Sequence, residues 1–155
     1  MNNYNFNKIK GYIEGYYGKL LSWKERNEIL DTLSKNNMNF YFYCPKEDIN
    51  HRFRWKEQYN VNWLKNLTKF NKYAVEKNIK VIVGISPGLN FNFKSYVEGN
   101  KEEINELIKK LEIFLSCGVP HVAILFDDIP NEFKLFVKNE AEGVTHARII
   151  NETIK

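Results

Sequence analysis

The sequence predicts an α/β protein made of four consecutive strand–helix units. Four short apolar segments alternate with four longer segments in which apolar residues recur every three or four positions. Each short segment is followed by residues that commonly end a strand, such as glycine, proline or aspartate. The chain has 155 residues, 43% of them hydrophobic, which is enough for one buried core and argues against disorder. A single domain is therefore expected.

The first unit begins with the strand segment Ile9–Glu14, which ends in a glycine-rich turn at residues 15–18. Ser22 then precedes a pattern of apolar residues at helical spacing, and Glu25 follows Ser22 by three positions. A serine and a glutamate at this spacing form a capping box. We therefore expect a helix to begin directly after Ser22.

The second strand segment is expected to be buried, and the third is apolar without alternation, as expected for a strand that is covered on both faces. Asn39–Cys44 is too aromatic for a favoured helix and is stopped by Pro45, and Val81–Ile85 is rich in β-branched residues. A long loop at residues 46–60 separates Pro45 from the second predicted helix. Its apolar stripe consists of Trp63, Leu64, Leu67, Phe70 and Ala74.

The last two predicted helices flank the fourth strand. The strand is Val122–Phe126, which follows Pro120 and runs directly into two aspartates. The final helix is expected over about Glu140–Ile154. The helix before the strand ends at Gly118, and its apolar stripe consists of Ile104, Leu107, Ile108, Leu111, Phe114 and Leu115.

Four such units require a parallel sheet with right-handed crossovers. Two architectures are open to this arrangement. The predicted sheet is either the first half of a (β/α)8 barrel, a fold that typically needs about 250 residues, or an open flavodoxin-like sheet, which is complete near the length of this chain. Ligands bind at the carboxyl ends of the strands in both. Functional residues are therefore expected at positions 15–18, 44–48, 86–90 and 126–131.

The charge pattern narrows the class of partner. The net charge is +4, and the lysines are scattered rather than gathered in a stripe, which argues against nucleic acid as a partner.

No segment approaches the 18 apolar residues of a membrane span, and the first ten residues lack an apolar signal region. We therefore expect no membrane association and a cytoplasmic location for the chain as given, with secretion of a longer form left open. Cys44 and Cys117 are far apart and do not indicate a disulfide framework.

Asp127 and Asp128 give the strongest local indication of function. An apolar strand gains nothing from two carboxylates at its end, and adjacent residues on an extended backbone point in opposite directions. The two groups are thus able to contact different parts of one substrate. Repulsion between them favours one protonated member, which is suited to general acid catalysis. A turn-forming or helix-capping aspartate and a Mg²⁺ or Ca²⁺ ligand pair are the alternatives.

The first two strand ends offer further candidates. Lys46 is placed to donate to a substrate hydroxyl or anion, but beside Glu47 and Asp48 it is also consistent with a solvated ion pair. Gly15 and Gly18 permit a ligand to approach the backbone, and they equally serve a tight turn.

The long loop after the second strand is aromatic and basic. We expect its segment His51–Trp55, together with Tyr59, to pack the loop onto the rim of the sheet. His51, His121 and His146 show no metal-ligand spacing.

Four motifs at the strand ends resemble the family 84 glycoside hydrolases, which are β-N-acetylglucosaminidases that include protein O-GlcNAcases and enzymes once called hyaluronidases. The resemblance runs from Gly11 to Lys155. The motifs are GYIEGYYG at Gly11–Gly18, YCPKED at Tyr43–Asp48 followed by His51, Arg52 and Trp55, ISPGL at Ile85–Leu89, and LFDDI at Leu125–Ile129.

The resemblance implies a catalytic (β/α)8 barrel of which residues 1–155 form the N-terminal half. Such an enzyme removes terminal β-linked N-acetylglucosamine with retention, through an oxazoline formed by the substrate's own acetamido oxygen, and it needs no cofactor or metal. By position, the resemblance assigns orientation of the acetamido N–H and stabilisation of the oxazoline to Asp127. It assigns general acid and base catalysis to Asp128.

The remaining implied roles concern substrate binding. Lys46 donates to sugar hydroxyls, the Gly15 carbonyl accepts from another hydroxyl, and Tyr17 lines the pocket. The partner would be a glycoconjugate or glycoprotein bearing N-acetylglucosamine. The sequence departs from the family at residues 19–21, where Lys-Leu-Leu replaces Arg-Pro-Trp, and at Glu47, where aspartate is common.

Later strands of the family supply further sugar-binding residues beyond Lys155. A catalytically incomplete fragment or a sugar-binding remnant is therefore the alternative function. The exposed edges of half a barrel also predict self-association.

Overall fold

The computed structural model describes residues 9–127, 129–130, 133–137 and 140–154. This part of the chain contains four strands, the first two followed by one helix each and the last two by two helices each. In order, the elements are β1 (Gly11–Glu14), α1 (Trp23–Lys35), β2 (Phe40–Tyr43), α2 (Val61–Glu76), β3 (Lys80–Ile85), α3 (Phe93–Val97), α4 (Glu102–Ser116), β4 (His121–Ile124), α5 (Phe133–Phe136) and α6 (Glu142–Thr153).

The four predicted strands and the four predicted long helices are confirmed, and most of their ends lie within about two residues of the expected positions. The short helices α3 and α5 were not predicted from the sequence. The side chain of Asn92 accepts from the backbone N–H of Ser95 at 3.0 Å, and Phe93 and Tyr96 are buried, so local capping and two aromatic anchors stabilise α3.

All four strands are parallel and lie in the order β1-β2-β3-β4. Gly11 pairs with Phe40, Phe40 with Lys80, and Ile82 with His121. The α/β class is confirmed. The sequential order differs from the 2-1-3-4-5 order of flavodoxin-like sheets, so the open flavodoxin-like alternative is wrong.

The two faces of the sheet have different surroundings. Tyr41, Tyr43, Val81 and Val83 point toward the helices and are buried. Alternate residues point to the opposite face, where Ile13 is 55% exposed and Phe42 is partly exposed. The unalternated third strand was expected to be covered on both faces. Among the described residues, the helices cover one face only, and we call the other the open face.

The start of α1 follows the predicted capping box. Ser22 Oγ accepts from the backbone N–H of Glu25 at 3.2 Å, and the Glu25 carboxylate accepts from the backbone N–H of Ser22 at 2.6 Å. These two bonds satisfy donors that the first turn of a helix otherwise leaves unpaired. They fix the point at which the chain leaves the glycine-rich turn.

Glu14, the last residue of β1, points toward the helices and away from the open face. It is fully buried and accepts two bonds from Arg26 of α1, at 2.9 Å from Nε and 2.7 Å from Nη2. The Tyr41 hydroxyl donates to the same carboxylate at 2.6 Å. Although Glu14 belongs to the first motif, its contacts join β1, β2 and α1, and its role is therefore structural.

Within the described ranges, every helix is too short or too polar to cross a membrane.

Candidate active site

Three side chains from different strand ends meet at one edge of the sheet. Ser86, directly after β3, donates from Oγ to Asp127 Oδ1 at 2.6 Å. The ammonium group of Lys46, from the loop after β2, contacts Asp127 Oδ2. Ser86 is buried, whereas the side chains of Lys46 and Asp127 remain partly exposed. The two oxygens of one carboxylate are thus held by two different donors.

Backbone pairing continues beyond the strands and sets this geometry. The N–H of Cys44 donates to the Glu14 carbonyl at 3.1 Å, and that of Leu125 donates to the Ile85 carbonyl at 2.8 Å. Because side chains alternate along an extended backbone, Lys46, Ser86 and Asp127 all point toward the side of the open face. The carboxyl ends of the parallel strands therefore form a partly exposed polar cluster.

The ion pair of Lys46 differs from one of the sequence-based alternatives. A solvated pair with Glu47 or Asp48 was possible, but Lys46 pairs across the sheet with Asp127. Glu47 is exposed, and Asp48 is buried within its own loop.

Asp48 organises the turn that follows Lys46. Its Oδ2 accepts from the hydroxyl of Tyr43 and from that of Tyr59, the latter at 2.7 Å. Its Oδ1 accepts from the backbone N–H groups of Asn50 and His51 at 2.9 and 3.3 Å. A buried carboxylate is stable only when such donors replace its lost hydration. Asp48 is therefore a structural anchor of the loop.

His51 joins this turn to the end of β3. Its Nδ1 lies 2.9 Å from the Gly84 carbonyl, and its own carbonyl accepts from the backbone N–H of Ser86 at 2.8 Å. Burial lowers the pKa of His51, so the ring is neutral and carries its proton on Nδ1, where the carbonyl requires a donor. The histidine thereby connects the loop of Lys46 with the strand of Ser86.

The predicted packing of the long loop is confirmed for His51, Arg52, Trp55 and Tyr59, which are buried, whereas Phe53 and Arg54 are exposed. Trp55 is 1% exposed, and its ring is stacked with that of Phe91, with 6.3 Å between the centroids. The sequence did not reveal that His51 bonds to β3, since a histidine in a basic and aromatic run has no distinctive spacing.

Gly88 lies within positions 86–90, where functional residues were expected, but the sequence assigned no role to it. A Cβ atom at this position would lie 2.7 Å from the carbonyl oxygen of Asp127, so the loop after β3 approaches the backbone of Asp127 too closely for a side chain. The available signal was the Pro-Gly pair directly after a buried strand.

The other predicted site residues lie near the same end of the sheet. A Cβ atom on Gly15 would lie 3.3 Å from the sulfur of Cys44, so Gly15 borders the end of β2. Tyr17 is 64% exposed, and the guanidinium carbon of Arg52 lies 5.7 Å from its ring centroid. Asp128 lies outside the described residues.

Of the alternative metal-ligand pair Asp127 and Asp128, the structure describes only Asp127, and both of its carboxylate oxygens contact other side chains. Mg²⁺ and Ca²⁺ require several oxygen ligands, whereas the two Asp127 oxygens face a hydroxyl donor and an ammonium group. Within the part of the chain that the structure describes, no cluster of three or more His, Cys, Asp or Glu side chains is arranged to hold a metal.

A parallel α/β sheet with charged groups gathered at its carboxyl edge is the arrangement of many enzymes of this fold class. The chain belongs to the β-N-acetylglucosaminidase family, whose family model matches residues 10–155. The resemblance to family 84 glycoside hydrolases is thus confirmed.

Curated relatives include the Protein O-GlcNAcase of Rattus norvegicus and that of Mus musculus. This chain is 34% identical to each over 139 residues, which cover 90% of this chain and 15% of each relative. Two solved structures are also similar to this chain. An O-GlcNAc hydrolase of Thermobaculum terrenum, solved as a mutant, matches with a TM-score of 0.83 and 30% identity over 95% of this chain and 31% of that chain. The structure of CpGH84B matches with a TM-score of 0.79 and 33% identity over 93% of this chain and 24% of that chain.

Proposed function

We propose that the protein to which this chain belongs hydrolyses terminal β-linked N-acetylglucosamine from glycoconjugates or glycoproteins. The observation that carries this proposal is the Asp127 carboxylate, which is held by Ser86 and Lys46 at the carboxyl edge of the sheet. Membership of the family and the likeness to O-GlcNAc hydrolases support it. The reaction class is substrate-assisted hydrolysis with retention.

In this mechanism the acetamido oxygen of the substrate attacks the anomeric carbon and displaces the aglycone. Asp127 accepts a hydrogen bond from the acetamido N–H, which orients the oxygen and stabilises the positive charge that develops on the oxazoline ring. A carboxylate fixed before the substrate arrives performs this task without reorganisation. Water then opens the oxazoline and restores the acetamido group, so no cofactor is required.

Asp128 is proposed as the general acid that protonates the glycosidic oxygen and then, as a base, activates water. This assignment rests on its place beside Asp127 in the LFDDI motif. Adjacent residues on an extended chain point in opposite directions, so the two carboxylates are suited to different atoms of one substrate.

Lys46, Gly15 and Tyr17 are proposed as the sugar-binding groups of this half of the site. An ammonium group has three donors, so contact with Asp127 leaves Lys46 able to donate to a sugar hydroxyl as well. The Gly15 carbonyl is proposed to accept from another hydroxyl, and the exposed ring of Tyr17 to line the pocket.

The fold proposed for the whole protein is a (β/α)8 barrel, with this chain as its N-terminal half. The sequential strand order and the location of the helices on one face support this, since a barrel places its helices outside and its side-chain layers inside. The open face would then point toward the barrel axis.

The second candidate is a catalytically incomplete fragment or sugar-binding remnant. It is favoured by the open face and by the fact that this chain spans 15% of the curated relatives and 31% and 24% of the matched structures. Calorimetric titration with N-acetylglucosamine and an oxazoline-like inhibitor distinguishes the candidates. Binding without turnover by residues 1–155 supports the remnant, and binding with turnover contradicts it.

Hydrolysis of aryl N-acetylglucosaminides with good and poor leaving groups tests the enzyme proposal. Asp128→Asn should slow hydrolysis of substrates with poor leaving groups far more than of those with good ones, because only poor leaving groups need protonation. Asp127→Asn should slow hydrolysis of both kinds of substrate. Asp31→Asn, on α1 and remote from the site, is the matched control and should retain activity. Equal loss in all three variants, or none in the first two, contradicts the assignment.

A further inference from the structure

We propose that Ser86 is a positioning residue that sets the orientation of the Asp127 carboxylate. This inference rests on the proposed function, because it assigns to Ser86 a part in the acetamido-assisted step. Ser86 acts through Asp127 and is not itself placed against the reacting atoms.

The hydrogen bond between these residues is of a strong type. Ser86 is 1% exposed, and its Oγ lies 2.6 Å from Asp127 Oδ1. Hydroxyl-to-carboxylate bonds of this length are charge-assisted and roughly twice as strong as neutral ones. A hydroxyl has a single proton, so when Ser86 donates it to Asp127 it donates to no other acceptor.

Ser86 is itself held in place from the opposite side. Its backbone N–H donates to the His51 carbonyl at 2.8 Å, and the His51 ring bonds to the Gly84 carbonyl at 2.9 Å. Asp48 in turn accepts from the backbone N–H of His51 at 3.3 Å. The position of the hydroxyl is therefore determined by a buried turn as well as by β3.

The two oxygens of the Asp127 carboxylate therefore have different partners and different roles. With Oδ1 bonded to Ser86, the plane of the Asp127 carboxylate is fixed, and Oδ2 is the atom that faces Lys46 and the partly exposed side of the cluster. The acetamido N–H of the substrate would then be accepted by Oδ2. Without Ser86, only the contact with Lys46 restrains rotation of the carboxylate about χ2, and the N–H meets its acceptor in only part of the population.

The kinetic experiment uses Ser86→Ala, Ser86→Thr and Asp127→Asn, with Ser116→Ala as control because Ser116 lies exposed at the end of α4. Ser86→Ala should lower kcat/KM by about 10- to 100-fold for good and poor leaving groups alike, the size expected for one bond to a charged group. Ser86→Thr keeps the hydroxyl and should restore most of the rate. In the Asp127→Asn background, Ser86→Ala should cost less than about threefold.

A loss confined to poor leaving groups, or full additivity with Asp127→Asn, overturns the proposal. Thermal melts of each variant identify any that fail to fold, and Ser86→Cys, which preserves the shape, replaces Ser86→Ala in that case. If the wild-type protein shows no hydrolysis, the proposed function has failed.

The Ser86 contact is then judged separately by proton NMR on residues 1–155. A hydroxyl proton protected from exchange, lost in Ser86→Ala and exposed to exchange in Asp127→Ala, supports the contact. A freely exchanging Ser86 hydroxyl in the wild type overturns it.

Discussion

The ammonium group of Lys110, on α4, lies 4.3 Å from the centroid of the Tyr59 ring and donates to the backbone carbonyl of Glu57. Lys110 is fully buried, and burial lowers its pKa to about 8. Both of its partners belong to the loop that carries Lys46. A buried cation thus contacts this loop, and its burial costs more in desolvation than these contacts return.

Replacement of Lys110 by methionine should therefore stabilise the protein at pH 7. The folded state binds the lysine proton more weakly than the unfolded chain, whose lysine pKa is about 10.5. The free energy of unfolding of the wild type should accordingly rise between about pH 8 and pH 10, and this rise should vanish in Lys110→Met. At pH 7 the variant should gain about 1 kcal/mol or more after loss of one hydrogen bond.

Urea unfolding across this pH range provides the measurement. Lys109→Met, which removes an exposed lysine from the neighbouring position, is the control and should change stability by less than about 0.5 kcal/mol. A Lys110→Met variant that is clearly less stable at pH 7 would contradict the interpretation.

Loss of the buried pair of Glu14 and Arg26 should be costly. Glu14→Leu leaves the buried Arg26 charge unpaired, and Arg26→Met leaves the buried Glu14 carboxylate without its guanidinium partner. We expect each to lower the free energy of unfolding by about 3–5 kcal/mol. The double variant Glu14→Leu with Arg26→Met should lose less than the sum, because both charges are removed. Lys24→Ala, from the exposed pair with Glu28, is the control and should cost under about 0.5 kcal/mol. Additive losses in the double variant would argue against direct coupling.

Gly88→Ala should affect activity more than stability. The added Cβ would lie 2.7 Å from the Asp127 carbonyl, so the loop after β3 must move away from the site. A displacement of this size should lower kcat/KM by about tenfold or more. Gly143→Ala meets open space in α6 and should keep activity while raising stability by about 0.5–1 kcal/mol. Wild-type activity in Gly88→Ala would show that the loop adapts without disturbing Asp127.

The isolated chain of residues 1–155 should self-associate through its open face. Ile13 is 55% exposed there, and β1 and β4 are the edge strands of the sheet among the described residues. Sedimentation velocity over a concentration series should show oligomers that are reduced by Ile13→Ser with Phe42→Ser. Leu135→Ser, which removes an apolar side chain 71% exposed elsewhere, should leave association unchanged. A monomeric wild type at all concentrations would contradict this prediction.

Much of the fold was predictable because its signals are local. The capping box at Ser22 and the β-branched run before Ser86 depend on neighbouring residues, and both gave the correct elements. The openness of one sheet face was not predictable, because an unalternated strand has the same sequence whether or not the second face is covered.

The site was predictable only in part, because some of its contacts join segments that are distant in the sequence. Asp127 and Lys46 stood out as charged residues directly after strands, and the sheet brings them together. Ser86, His51 and Gly88 did not, since their contributions depend on contacts between loops distant in sequence. Their roles follow from hydrogen bonds and a close backbone approach that exist only in the folded chain.

The bond between Ser86 and Asp127 joins residues 41 positions apart in the sequence. No local segment can form it, so the cluster appears only after β4 has docked beside β3 and the loop-closure entropy of the intervening chain has been overcome. During synthesis, the residues of the first three strands leave the ribosome before Asp127 does. The contact between Ser86 and Asp127 therefore arises late, when β4 reaches the sheet.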